Sequence, residues 1–62
     1  MSDYETELRE MHTAQAVLVL AAIMEATTII AHNLNNAAVL KKQRDAIAFH
    51  ISWLIVNADK TT

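Results

Sequence analysis

His32-Asn33-Leu34-Asn35-Asn36 is the one cluster of turn-forming residues in the chain, and none of its 62 residues is glycine or proline. Asparagine tolerates the left-handed backbone that ends helices, and it is among the best residues for starting one. Asn33 is therefore expected to close a first helix, and Asn35 or Asn36 to open a second. The expected fold is all-α, a single domain over residues 1–62. Helix 1 runs from about 3 to 32, the turn covers 33–36 and helix 2 runs from about 36 to 58. The competing reading is one unbroken helix of about 55 residues, roughly 80 Å long at ~1.5 Å per residue. It is disfavoured because it sets Glu25, Asn33 and Asn36 in or beside its apolar seam.

Outward from the turn, helix 1 carries Tyr4, Leu8, Met11, Gln15, Leu18, Ala22, Ala26 and Ile29 on one face, widened by Val19, Ile23 and Ile30. Between Ala14 and Met24 it is apolar nearly all round, the pattern of a helix buried on several sides or in lipid. Ser2 followed by Glu5 matches a capping box, and Asp3, Glu5 and Glu7 suit the positive end of the helix dipole. Helix 2 carries two stripes. One is Leu40, Ile47, Ile51, Leu54, Ile55 and Ala58; the other is Val39, Ala46, Phe49, Trp53 and Val56. Residues Asp59 to Thr62 read as a frayed end.

Size turns this pattern into an oligomer. Below roughly 70–80 residues a lone core seldom suffices, and disulfides, metal or association make up the difference. The chain has no cysteine. Its histidines, His12, His32 and His50, lack a short ligand spacing, so no metal and no cofactor are expected. At 53% hydrophobic and 19% charged it is more apolar than an average soluble domain. Self-association of an antiparallel two-helix hairpin into a four-helix bundle, or a larger helical oligomer, is the expected outcome. One stripe of helix 2 packs on helix 1 and the other meets a second chain. Leu20, Ile23, Phe49, Trp53 and Val56 are the expected oligomer interface.

A fold midway between Leu34 and Asn35 sets at one height any two positions whose numbers add to about 69. That puts Ala16 level with Trp53, Leu20 with Phe49, Arg9 with Asp59 or Lys60, and Glu25 with Arg44. Glu25 and Arg44 are thus expected to form a cross-helix ion pair that fixes register more than it stabilises.

Net charge is −2, so no global field gathers nucleic acid or an anionic membrane. The charge is segregated: Asp3, Glu5, Glu7 and Glu10 make one end acidic, while Lys41, Lys42 and Arg44 make a basic run. That run lacks the interleaved aromatics of single-strand binders. An acidic start where a secretory leader needs cations points to the cytoplasm. Catalysis finds no glycine loop, no cysteine and no serine usefully placed beside a histidine, so no enzyme is expected. The expected function is a small protein-binding regulator, adaptor or inhibitor that associates with itself and with another protein. Its candidate partner surfaces are Tyr4, Arg9 and His12, together with Lys41, Lys42 and Arg44. The alternatives are a ligand- or nucleotide-binding oligomer with a pocket between protomers, and a small membrane hairpin. Ala14 to Ala31 carries a single charge, Glu25, whose burial at mid-bilayer costs about 2.5–3.5 kcal/mol.

Overall fold

A computed structural model describes residues 2–60, with side chains over 3–59. Helix α1 runs Ser2–Ala31, α2 runs Ala37–Val56, and a 3-10 turn follows over Ala58–Lys60. The two helices pack against each other as a hairpin 53 Å long, 17 Å wide and 11 Å thick. The hairpin expected from the asparagine cluster is the one that forms.

The asparagines do the folding by side chain, with no left-handed residue among those described. The Asn33 amide donates to the Ile29 carbonyl at 2.7 Å, and its N–H donates to the Ile30 carbonyl at 3.0 Å. These bonds satisfy carbonyls that the end of α1 would otherwise leave open. Asn36 is extended at φ −115°, and its Oδ1 accepts the Val39 N–H at 3.2 Å, the geometry of an N-cap. A third asparagine ends α2 at Val56, two residues short of the expected boundary. Both the N–H and the side-chain amide of Asn57 donate to the Trp53 carbonyl, at 3.1 and 2.9 Å. The frayed end expected from Asp59 is corrected by the 3-10 turn, which packs on α1 as well as α2. Thr61 and Thr62 lie outside the described residues. The expected capping box involves Ser2 and Glu5. Ser2 is already the first helical residue, and its side chain lies outside those described.

The helices meet along a seam whose regular series is His12, Ala16, Val19, Ile23, Ala26 and Ile30 on α1 with Asn33 just after it, against Val39, Gln43, Ala46, His50 and Trp53 on α2 with Asn57 just after it; Ala22, Ile29, Leu40, Ile47 and Leu54 flank this series and are half-buried too. Both series alternate steps of three and four, the spacing of helices wound together in a left-handed sense. Ala26 and Gln43 line one groove, in keeping with the expected height rule. By the same rule Ala16 falls level with Trp53 and Ile23 with Ala46, a small residue against a larger one. Polar residues at seam positions narrow the choice of register at some cost in stability. The seam runs one residue away from the stripe that the large apolar residues of helix 1 draw, and between the two stripes of helix 2. Ala26, 4% exposed, is the one buried residue among those described.

Candidate functional surfaces

Reversing one helix aligns the residues that precede each seam position in α1 with those that precede it in α2. The hairpin therefore has two flat sides. The Phe49 side carries Tyr4, Leu8, Met11 and Leu18 from α1 with Phe49 and Val56 from α2. The Leu20 side carries Val17, Leu20 and Met24 from α1 with Ile47, Ile51 and Leu54 from α2. Leu18, Met24, Phe49 and Val56 are each 70% exposed, far above what a core residue shows. Apolar surface of this extent on both sides marks interaction sites on a soluble protein or contact with lipid.

The expected oligomer interface does not fall on one surface. Ile23 and Trp53 are half-buried in the hairpin's own seam, Leu20 stands on one side, and Phe49 and Val56 stand on the other. Leu20 and Phe49 share a height but point to opposite sides. The same geometry separates Glu25 from Arg44, so the expected cross-helix pair is not formed. Arg44 Nε instead lies 3.2 Å from Asp45 Oδ1, the one ion pair among the described residues, with both groups exposed. Pairs of that kind contribute little.

The six partner-binding candidates divide between the two ends. Arg9 and His12 line a shallow groove of about 370 Å³ at the open end, with Glu5, Leu8 and Asp59; Tyr4 is exposed nearby. Arg9 and Asp59 are thereby brought together as the height rule expects. Lys41, Lys42 and Arg44 lie in the first two turns of α2 and diverge: Lys41 faces outward, Lys42 the Phe49 side and Arg44 the Leu20 side. They do not converge on one phosphate-sized point.

The histidines take local partners. Nδ1 of His12 lies 2.8 Å from the Leu8 carbonyl, and Nδ1 of His32 lies 2.9 Å from the Thr28 carbonyl. His50 is half-buried, with its ring edge-on to Phe49 at 5.8 Å. It also lines a second groove of about 200 Å³ on the Phe49 side, with Ala22, Glu25, Ala26, Ile29, Gln43 and Ala46. Alanines leave room there that larger side chains would fill. No three His, Asp or Glu among the described residues converge as a metal site requires. Within the apolar stretch of α1, Thr27 and Thr28 donate back to the Ile23 and Met24 carbonyls at 2.9 and 3.1 Å. Both hydroxyls are satisfied inside the helix, so α1 presents few unmet polar groups to whatever covers it.

The seam was the feature that large apolar residues concealed. Its signal lay in the seven-residue spacing of Gln43, His50 and Asn57, and of His12, Val19, Ala26 and Asn33. Comparison with protein families, characterised proteins and solved structures finds no match to this chain. The residues themselves carry the functional argument.

Proposed function

We propose that this chain is a non-enzymatic, self-associating helical protein that binds another protein and so regulates, tethers or inhibits it. Its setting on this reading is the cytoplasm. The observation that supports it is the pair of apolar sides on a hairpin with a single buried residue among those described. A second copy covers one side, and the other remains for a different protein. Aromatic anchors such as Phe49 and Tyr4 suit that second role, because residues of this type dominate interface energetics. The test is capture of the partner by tagged protein under native conditions, with Phe49→Asp and Leu18→Asp as comparison. Loss of one specific partner, with oligomer mass unchanged, supports the reading. Equal capture by both variants overturns the assignment of that side.

One observation favours a second reading, a membrane hairpin. Helix α1 over Asp3–Ala31 is long and apolar enough to cross a bilayer, and 6% of its most apolar window is buried inside the hairpin. Purified protein floated with phosphatidylcholine vesicles separates the two. Recovery with the lipid supports the membrane, and recovery in the aqueous fraction supports the soluble oligomer.

A further inference from the structure

The Leu20 side and the Phe49 side differ in where their apolar residues lie along the hairpin. On the Leu20 side, the exposed Val17, Leu20, Met24 and Ile51, with the half-buried Ile47 and Leu54 beside them, cluster about the level of residues 18 and 51. On the Phe49 side, Tyr4, Leu8 and Met11 draw the patch toward the open end. The loop half of that side holds the charged Glu25 and Lys42 instead.

We infer that the Leu20 side is the surface on which a second copy of this chain docks, with the two loops at opposite ends. The inference deepens the proposed function and rests on its premise that copies associate. A two-fold axis through the level of residues 18 and 51 sets Val17 of one copy over Leu20 of the other, and Ile47 over Leu54. Ile51 falls beside its own counterpart. Apolar residues thus meet apolar residues at the centre, with Met24 over Thr13 toward either end, in the self-complementary manner of an isologous interface. The same operation through the Phe49 side would centre on the open end and leave each loop half overhanging.

Charge selects the orientation. The open end holds Asp3, Glu5, Glu7, Glu10 and Asp59 against Arg9, and the loop end holds Lys41, Lys42 and Arg44 against Glu25 and Asp45, so the first is strongly acidic and the second weakly basic. Loops at opposite ends bring the acidic end of each copy to the basic end of the other, with Glu10 and Arg44 at nearly the same height. Loops at the same end would stack acid on acid. Complementary potentials of this kind fix register and suppress the wrong pairing. The side offers roughly 900 Å² in plan, from 53 by 17 Å, and stable interfaces use about 800 Å² per partner.

A chain without cysteine makes the test direct. Single variants Ile51→Cys and Phe49→Cys place a thiol at nearly one height on opposite sides. Under mild oxidation in native buffer, Ile51→Cys should form disulfide-linked dimers at least about tenfold faster, since a disulfide needs Cα atoms within about 7 Å. Leu20→Asp should reduce the oligomer to single chains, while Leu18→Asp leaves its mass unchanged. Faster linkage through Phe49→Cys overturns the choice of side. Linkage that requires mixing Val17→Cys with Ile51→Cys overturns the orientation. Unsubstituted protein at the mass of one chain overturns the premise of association itself, and is distinguished by needing no variant.

Discussion

The seam between the helices and the sides of the hairpin are made from opposite materials. The seam is alanine, β-branched residues, one tryptophan and five polar side chains: His12, Asn33, Gln43, His50 and Asn57. The sides hold Leu8, Met11, Leu18, Leu20, Met24 and Phe49, residue types that a folded chain ordinarily buries first. A hairpin with alanine in its interior and leucine on its exterior leaves much of its apolar surface uncovered. Small seam residues let the helices approach closely, and large outer ones supply area for what lies beyond.

That contrast can be broken most severely from outside. Leu20→Asp puts a charge at the centre of the proposed interface, where an unpaired ion is far costlier than in water. The expected result is a dissociation constant raised at least about a hundredfold, read by sedimentation, with helical circular dichroism falling as chains separate. Loss of self-association without any loss of helix would mean that the seam alone holds the hairpin. From inside, Ala26→Leu forces a larger side chain into the one tight layer. Overpacking of this sort costs about 1–3 kcal/mol, visible as an earlier urea midpoint. An unchanged midpoint would show that the seam is looser than its burial implies.

The turn gives a smaller effect. Asn36→Ala removes the oxygen that accepts the Val39 N–H, and caps of this kind are worth about 1 kcal/mol. Asn35→Ala, one residue earlier and uninvolved in that bond, is the matched control in the same melt. Asp45→Asn is the mildest. It breaks the exposed pair with Arg44 and should move stability by less than about 0.5 kcal/mol.

Much of this architecture was legible in the residues. Without glycine or proline, the asparagine cluster was the one place to turn, and the height rule followed from it. Arg9 meeting Asp59 in one groove, and Ala26 meeting Gln43 in the other, are its consequences. Rotation about each helix was not legible, because a stripe of large apolar residues draws the eye more than alanine does. The seam lies one residue from that stripe, which places Glu25 and Arg44 on opposite sides despite their equal height. It also divides the expected interface, sending Ile23 and Trp53 inward and Phe49 and Val56 outward. A heptad count that weighed Ala16, Ala26 and Ala46 with the polar seam residues would have found it.

On the proposed function, one copy lacks the means to cover its own apolar sides. Static light scattering on purified protein, at micromolar concentration in detergent-free buffer, tests it most directly. The expected mass is about 14 kDa or a higher multiple of the 6.9 kDa chain, with strong helical signal. A well-folded, fully helical species at 6.9 kDa would contradict it.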